Sequence, residues 1–258
     1  MDYKTYDQDS VTPSLQAPFF PEHLARYLFA QKYIQNKKVL ELGCGKGYGA
    51  YALAQKASAV VACDLNEASL NFARVHYAAS NLEYKKENVA GSEAFEKFDA
   101  VVSFEVLEHL SPVQTKDYLE LAKSCLLKNG VFLISTPNHA VVLKSGMSVP
   151  EFHINNLSSF ELLNLLKLHF EQVQMLGQIS DRGFFRNTIY YLDPWNLRHS
   201  SIFKKLAKTQ NSKLPIQNSK LVLWDIQQGF GQASHFIFSR YLWRQAGMVV
   251  AICSNPKL

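Results

Sequence analysis

The 258-residue sequence has few cysteines and no long apolar run, and each scarcity excludes a class of protein. Its four cysteines are scattered, with no Cys-x-x-Cys pair and no histidine nearby at ligand spacing, which predicts free thiols in a reducing compartment. No apolar run approaches the roughly 18 residues of a membrane span, and the first twenty residues lack the basic start and apolar core of a signal peptide. We therefore expect a cytoplasmic protein.

Charge of one sign is also scarce. The net charge is only +5, and no dense block of lysine and arginine occurs along the sequence. A dedicated nucleic-acid-binding protein usually carries more positive charge in a clustered form, so we expect no nucleic-acid partner. The hydrophobic content of 47% is instead typical of a globular protein with a sizeable core.

Strand-like and helix-like patterns alternate along the first two thirds of the chain. Five such alternations predict the α/β class, with a doubly wound, mostly parallel sheet. A seventh strand is expected near the carboxyl terminus, and the long segment before it, rich in aromatic and basic residues, predicts a helical cap over one edge. The predicted divisions are an amino-terminal arm (1–20), the α/β core (21–178), the cap (179–245) and the last strand (246–258).

The most informative stretch is VLELGCGKGYGAYALA, residues 39–54, in which four glycines alternate directly after an apolar strand. Glycine weakens strands and helices, so another requirement must place it here. Ligands of open α/β sheets bind at the carboxyl ends of strands, where glycine permits close backbone approach. Asp64 ends the next strand, 21 residues after Gly43, which suits a carboxylate that binds ribose hydroxyls. Together these features predict an adenosine-containing cofactor rather than a glycine-rich turn with an incidental acid.

The same stretch also matches the dinucleotide pattern G-x-G-x-x-A at Gly45, Gly47 and Ala50. Glu41 argues against a pyrophosphate ligand, because a carboxylate there would repel phosphates but would stabilise an ammonium group. The motif FEVLEHL, residues 104–110, also has no counterpart in hydride-transfer enzymes. A nicotinamide-dependent oxidoreductase is therefore the less favoured interpretation.

Taken in order, these motifs resemble those of the class I S-adenosylmethionine-dependent methyltransferases. VLELGCGKGYG is similar to the first motif of that family, VACDLN to the second, FDAVVSFEVLEHL to the fourth-strand motif and LLKNGVFLISTPN to the fifth-strand segment. HLARY and FHINNLSSFELLNLLKLHF extend the resemblance to a bacterial subgroup linked to glycan or cell-surface biosynthesis, whose core also resembles ubiquinone-type O-methyltransferases. The resemblance implies a Rossmann-like fold, with S-adenosyl-L-methionine as cofactor and S-adenosyl-L-homocysteine as product.

The resemblance also implies which residues surround the methionine part of the cofactor. Gly43 and Gly45 would line it, Glu41 would lie near its ammonium group, and Phe104 would border it through its backbone. Arg26, in the helix before the first strand, would clamp the methionine carboxylate. For Arg26 a plain surface arginine is an equally favoured alternative.

On the adenosine side, the resemblance implies that Asp64 binds the ribose hydroxyls and that Leu65 packs on adenine. Asn88 stands where the family commonly has an acid that faces the adenine amino group, and its carbonyl oxygen would accept that hydrogen bond instead. Val89 is also expected in the cofactor site, and Glu105 is expected to contact either cofactor or acceptor.

Two histidines are candidates for catalysis. Methyl transfer from a sulfonium requires alignment and removal of a proton from the acceptor, but no metal, and we predict no metal site. His109 would act as general base or, alternatively, would cap or pack the start of the next helix. His153, in the loop after the fifth strand, lies where acceptors generally enter. Glu108 is expected to be a structural hydrogen-bonding residue.

The absence of DPPY or NPPY after the fourth strand argues against a nucleobase or amide nitrogen as the methyl acceptor. The leading hypothesis is therefore O-methylation of a small-molecule or glycan/lipid-linked sugar hydroxyl. A ubiquinone-type or other small-molecule methyltransferase is the alternative within the family. A methyltransferase-like protein that binds without catalysis is the alternative of another class.

Overall fold

The computed structural model describes residues 20–91, 96–146, 148–180, 236–244 and 246–257. Its helices in these ranges are α1 (Phe20–Ile34), α2 (Tyr48–Ala54), α3 (Glu67–His76), α4 (Pro112–Ser124), α5 (His139–Lys144) and α6 (Ser159–His169). Its strands are β1 (Lys38–Leu42), β2 (Ala59–Asp64), β3 (Leu82–Lys86), β4 (Phe98–Phe104), β5 (Leu126–Pro137), β6 (Phe170–Ser180), β7 (Phe236–Ser239) and β8 (Met248–Pro256).

All eight strands of the described residues belong to one sheet, in the order β3-β2-β1-β4-β5-β8-β6-β7. Strands β1 to β5 pair in parallel, whereas β8 runs antiparallel to both of its neighbours and β7 runs antiparallel to β6. The predicted α/β architecture with a doubly wound, mostly parallel sheet is therefore confirmed.

The sheet has one strand more than the seven predicted, and the additional strand is β7 at the edge. β7 lies in the segment predicted as a helical cap, so that prediction is wrong for these residues. The exposed edge of β6 offers unpaired backbone groups that β7 satisfies, and Phe238 anchors β7 by stacking on Phe29 of α1 at 4.3 Å between ring centroids. Residues 1–19 and 181–235 lie outside the described part, so the arm and the remaining cap stay predictions.

Local sequence signals fix three of the helix starts. Asn66 has the residue type favoured at a helix start, and its side chain accepts hydrogen bonds from the N–H groups of Ala68 and Ser69 at α3. Ser111 forms a capping box with Gln114 at α4, and Ser158, which has Glu161 at capping-box spacing in the sequence, forms one at α6. These short-range bonds explain why the helix starts could be located from the sequence alone.

Two apolar cores, one on each face of the sheet, hold the helices in place. Alternate residues of each strand point to opposite faces, so that Val39 of β1 joins one core and Leu40 joins the other. Helices α1, α2 and α3 cover the first face, and helices α4 and α6 cover the second. The central strands are therefore buried on both sides, as expected for parallel strands.

The cysteines and the helices bear on two of the expectations from the sequence. Each of the four cysteines is free and buried, as predicted, and burial raises the pKa of the Cys44 and Cys63 thiols. None of the helices in the described ranges has the length and apolarity needed to cross a bilayer.

The order of the strands determines where a ligand can bind. The chain winds outward from β1 through β2 to β3 and then returns to place β4 on the other side of β1. The loops after β1 and β4 therefore diverge to opposite faces, and open α/β sheets bind ligands at the carboxyl ends of the strands at such a point. The glycine-rich loop and the FEVLEHL motif both lie there.

Candidate functional site

The glycine-rich loop wraps around the end of β2. The N–H groups of Gly43 and Cys44 both donate to the carbonyl of Cys63, at 2.8 and 2.9 Å. The N–H of Gly45 donates to the Asp64 carboxylate at 2.7 Å. The loop and the second predicted motif, 21 residues apart in the sequence, thus form one hydrogen-bonded unit at the carboxyl edge.

Neighbouring side chains of the protein itself require glycine at three of the four positions, and Gly47, with φ +82° and Ala73 at 2.5 Å from an added Cβ, is one of them. Gly43 has a left-handed backbone with φ +80°, and a Cβ atom there would lie 2.3 Å from Cγ2 of Val106. A Cβ atom at Gly49 would lie 2.0 Å from the ring of Tyr27. The bare backbone at these positions lets the β4 exit loop and helix α1 approach the glycine-rich loop, a requirement that the sequence pattern did not show.

Asp64 is held in place by the backbone around it. One carboxylate oxygen accepts from the N–H of Gly45 and the other accepts from the N–H of Asn66 at 2.8 Å. Each oxygen retains capacity for a further hydrogen bond. Burial raises the pKa of this carboxyl, against the lowering effect of the N–H donors. The binding of ribose by Asp64 remains a prediction. The structure itself gives Asp64 a second role, because its carboxylate fixes the glycine-rich loop to the end of β2.

The residues predicted to surround adenine lie in two neighbouring loops, because β2 and β3 are paired. The loop after β3 is joined to β2 by a hydrogen bond from the N–H of Glu87 to the Asp64 carbonyl at 3.0 Å. Asn88 is exposed, and its side-chain oxygen accepts from the N–H of Ala90 at 3.1 Å. Leu65 and Val89 are both partly buried. The structure thus brings the predicted adenine residues to one edge.

Glu41 is a buried acid in the centre of the site. The side chain lies near the end of β1 with a relative exposure of 1%, and in the described part of the chain neither carboxylate oxygen has a hydrogen-bond partner of good geometry, the Tyr27 hydroxyl being the nearest group that favours its charged form. Burial raises the pKa of Glu41 to about 8; the nearby Tyr27 hydroxyl opposes this change and the Asp64 charge adds to it. A buried acid without partners is unusual in a folded protein and indicates a group that awaits a ligand.

Arg26 is fully buried, so the alternative of a plain surface arginine is wrong. Its Nη1 atom donates to the Gln178 side chain at 2.7 Å, while Nη2 lies 3.8 Å from a Glu105 oxygen. Among the residues that the structure describes, neither Nε nor Nη2 has a hydrogen-bond partner. Gln178, which in turn donates to the carbonyl of Glu22 at 2.8 Å, was missed in the sequence because it lies 152 residues from Arg26.

The β4 exit has a strained backbone. Glu105 has a φ of +58°, which is uncommon for a residue with a side chain, and such strain is found most often at functional sites. Ser135 holds Glu105 in this conformation. The Ser135 carbonyl accepts from the Glu105 N–H at 3.2 Å, and the Ser135 hydroxyl donates to the Glu105 carboxylate at 2.7 Å. The preceding Phe104 is buried and packs edge-on against Tyr27 at 5.1 Å between centroids.

The two candidate catalytic histidines contact each other. The rings of His109 and His153 lie 5.0 Å apart, and Phe152 stacks on His109 at 5.6 Å. Burial lowers the pKa of His109, and it lowers the pKa of His153 to about 4 with a further contribution from His109. Both imidazoles are therefore neutral near pH 7. Because Ser111 caps α4, His109 has no capping role, and it packs instead on the loop that carries His153.

Glu108 completes this cluster. It is buried and accepts a hydrogen bond from the Thr136 hydroxyl at 3.1 Å, in agreement with its expected structural role. One ligand atom each of Glu108, His109 and His153 lies within 4.8 Å of the others. No metal site was predicted, because transfer from a sulfonium does not require one. The sequence also does not show this cluster, since His153 is 44 residues beyond His109 and only the folded loop brings the two together.

Asn155 holds the His153 loop against the turn that carries Glu108 and His109. Its N–H donates to the Glu108 carbonyl at 3.0 Å, and its side-chain amide donates to the Leu107 carbonyl at 3.1 Å and to the Thr115 hydroxyl at 2.9 Å. Replacement by alanine would leave two buried acceptors with one donor fewer each.

We expect Asn155→Ala to lower the free energy of unfolding by about 1–3 kcal/mol, because a lost hydrogen bond to a buried partner costs about that much. Chemical denaturation measures this change. Asn156→Ala is the matched control, since the neighbouring amide is exposed and donates only to the carbonyl of His153. Equal losses in the two variants would contradict the assignment of Asn155 as the residue that joins the loops.

Comparison with known proteins gives a consistent result. A family model described as a methyltransferase domain matches residues 39–130. The chain is 33% identical over 172 residues to a probable S-adenosylmethionine-dependent methyltransferase of Mycolicibacterium smegmatis, with 64% of each chain covered. It is 38% identical over 81 residues to a ubiquinone biosynthesis O-methyltransferase of Stutzerimonas stutzeri, over 30% of this chain and 35% of that protein. The chain therefore spans less than two thirds of the length of these relatives.

Among solved structures, the fold is similar to that of an N-methyltransferase, NodS, from Bradyrhizobium japonicum, which was solved with S-adenosyl-L-homocysteine. The TM-score is 0.56, with 14% sequence identity and 99% of this chain and 98% of that chain covered. At this level of identity the similarity concerns the fold. The sheet whose carboxyl edge carries Glu41, Asp64 and Glu105 thus has a fold that occurs in a solved structure.

Proposed function

Since the core of this chain belongs to the class I S-adenosylmethionine-dependent methyltransferases, whose cofactor is S-adenosylmethionine, we propose that the protein methylates a hydroxyl group of a small molecule or of a glycan- or lipid-linked sugar. The methyl donor and the methyl acceptor are expected to meet at the carboxyl edge of the sheet, between the glycine-rich loop and the turn after β4.

One observation carries the proposal. Glu41 and Arg26 are both buried at this edge, and both have polar atoms that no other described residue satisfies with a hydrogen bond of good geometry. The free end of an amino acid carries an ammonium and a carboxylate, which are the groups that an acid and an arginine would bind. The methionine end of the cofactor would therefore satisfy the unpaired atoms that the protein leaves in its interior.

The remaining roles follow from the positions of the side chains. When bound, S-adenosylmethionine supplies a methyl group on a positively charged sulfur, which is an activated donor. Asp64 would accept hydrogen bonds from the ribose hydroxyls with the lone pairs that Gly45 and Asn66 leave free. Leu65 and Val89 would cover the adenine, and the amide of Asn88 would face its amino group.

The choice of oxygen as acceptor has two supports. The imidazoles of His109 and His153 are neutral near pH 7, so either can accept a proton from a hydroxyl group. One relative is named an O-methyltransferase, although over a short stretch of its length. Because NodS is named an N-methyltransferase, the shared fold does not decide between the two atoms, and the decision rests on the site.

A direct assay tests the activity. Purified protein with methyl-labelled S-adenosylmethionine is incubated with fractionated bacterial extracts, sugar acceptors and catechols, and the labelled products are identified by mass spectrometry. We expect methyl ethers to form, on sugars for the leading proposal and on an aromatic ring for the ubiquinone-type alternative. Tight cofactor binding without any labelled product would instead favour a non-catalytic binding protein, and methylated amines would overturn the choice of oxygen.

We expect Asp64→Ala to weaken the binding of S-adenosyl-L-homocysteine by about 5- to 150-fold, because the loss of paired polar groups costs about 1–3 kcal/mol. Isothermal titration calorimetry measures the change. Asp99→Ala is the matched control, because Asp99 also accepts a backbone N–H, that of Lys38 at 2.9 Å, but at the opposite edge of the sheet. If Asp64→Ala bound S-adenosyl-L-homocysteine as tightly as the wild type, the proposed contact between Asp64 and the ribose would be contradicted.

A further inference from the structure

We propose that Glu108, His109 and His153 bind a divalent transition-metal ion beside the cofactor site, and that an open position on this ion takes an oxygen of the methyl acceptor. The binding of the ion rests on the geometry of the three side chains alone. The second part, concerning the acceptor, rests on the proposed function.

The distances allow the three side chains to bind one ion. Their ligand atoms lie within 4.8 Å of one another. Ligand atoms that share an ion at about 2.0–2.2 Å are separated by roughly 3–4 Å, so the three must close by about 1 Å. Side-chain rotation of His153, which lies in a loop and is only half-buried, can supply this movement.

The hydrogen bonds around the cluster are those that a metal site needs. Metal-binding histidines usually donate their second N–H to a carbonyl, and ligating carboxylates are themselves hydrogen-bonded. The ring of Phe152 stacks on His109 at 5.6 Å between centroids and orients the imidazole, and Glu108 accepts from the Thr136 hydroxyl at 3.1 Å. Asn155 fixes the distance between the two ligand-bearing segments through its three hydrogen bonds. The ligands are thus oriented by partners that an isolated pair of histidines would lack.

The identity of the ligands indicates the class of ion. Two imidazoles and one carboxylate suit manganese, iron, cobalt or zinc in the divalent state better than magnesium or calcium, which prefer oxygen. Three protein ligands leave at least one exchangeable position. Glu108 would hold the ion from the protein interior, while the two partly exposed imidazoles leave a path from solvent.

An ion at this position would change the role of the histidines. Both imidazole lone pairs would then be engaged by the ion and neither histidine would act as the general base. An acceptor hydroxyl bound to the ion has a lower pKa, so it can release its proton to water and become the more reactive alkoxide or phenolate. Glu105, held at the β4 exit by Ser135, borders the same space and adds negative charge that favours a cation.

The test uses the untagged full-length chain, stripped with a chelator and titrated with Mn²⁺ or Co²⁺ in the absence of cofactor. We expect one ion per chain, with Co²⁺ absorption bands typical of nitrogen ligation. His153→Ala should weaken Mn²⁺ binding by tenfold or more and remove the Co²⁺ bands. The matched control is His169→Ala, because His169 lies at the opposite edge of the sheet beside a single carboxylate, Glu120, at 3.2 Å. Circular dichroism and the thermal midpoint show whether each variant is folded.

The outcomes separate this inference from the proposed function. Absence of stoichiometric binding, or equal binding by His153→Ala and the wild type, would overturn the metal site, whereas binding of S-adenosyl-L-homocysteine would still support the methyltransferase. Metal binding without cofactor binding would instead support the metal site and contradict the proposed function. If the stripped protein methylates its acceptor as fast as the metal-loaded protein, the ion takes no acceptor oxygen and the second part fails.

Discussion

Between pH 5.5 and 7.5, the affinity of the wild-type protein for S-adenosyl-L-homocysteine is expected to rise about tenfold per pH unit, and Glu41→Gln is expected to abolish this dependence. The effect arises from the raised pKa of Glu41, which is about 8 in the protein without ligand. At pH 5.5 the side chain is protonated, so an arriving ammonium group must first displace a proton.

The sign follows from proton linkage. The ligand ammonium stays charged over this range and stabilises the ionised form of Glu41, so binding releases one proton. Each unit of pH below about 8 therefore lowers the ionised fraction of Glu41, and with it the apparent affinity, about tenfold. In the unliganded protein the direction is opposite: the folded state retains the proton better than the unfolded state, so stability falls as pH rises from about 4.5 towards 8.

Calorimetry at several pH values, in buffers of different ionisation enthalpy, measures both the affinity and the number of protons released. Glu41→Gln should bind about a hundredfold more weakly than the wild type at pH 7.5 and with little change across the range. Glu83→Gln, an exposed carboxylate on β3, is the matched control. The pKa of Asp64, which lies near the expected ligand, is also raised. If the affinity of Glu41→Gln still rose with pH, the titrating group would be Asp64 rather than Glu41.

Gly43→Ala is expected to lower the free energy of unfolding by about 2–5 kcal/mol and to prevent cofactor binding. A left-handed backbone with a side chain costs roughly 1–2 kcal/mol, and an overpacked contact costs about 1–3 kcal/mol more. Both apply here, because φ is +80° and the new Cβ would lie 2.3 Å from Val106. Differential scanning calorimetry should show a thermal midpoint lower by about 5–15 °C.

A second substitution separates the two causes. Val106→Ala removes the methyl group that would collide with the new Cβ. The double variant Gly43→Ala with Val106→Ala should therefore lose about 1–3 kcal/mol less unfolding free energy than the two single variants lose in total. Gly247→Ala is the control, because a Cβ atom at that position meets nothing within 4 Å. Strict additivity of the two substitutions would mean that the glycine is needed for its backbone conformation alone.

The positions of the residues expected to bind the cofactor were predictable because they lie at strand ends. Once a strand is recognised from its apolar run and a helix from its cap, parallel pairing places the carboxyl ends of β1, β2 and β4 at one edge. Glu41 and Asp64 could thus be expected at a common site from the sequence, and the family resemblance adds Phe104 to it. The same local signals located Asn66 and Ser158 as helix starts, where the relevant bonds span two or three residues.

Other features depended on contacts between distant parts of the chain. The burial of Arg26 results from the packing of α1 on the sheet and from its bond to Gln178, 152 residues away. The contact between His109 and His153 requires the loop after β5 to fold back on the turn after β4, held by Asn155. No local pattern encodes either contact, so the sequence left the arginine undecided and gave no indication of three clustered metal ligands.

The amino-acid sequence by itself determined the α/β class, the parallel core and the edge at which the cofactor is expected, because periodicity and capping act over a few residues. Only the tertiary structure decided which polar groups are buried without partners, which glycines admit a neighbouring side chain, and that an additional strand pairs with β6. The physical reason is that burial, steric contact and a raised pKa are properties of the space around a residue, and segments far apart in the sequence create that space.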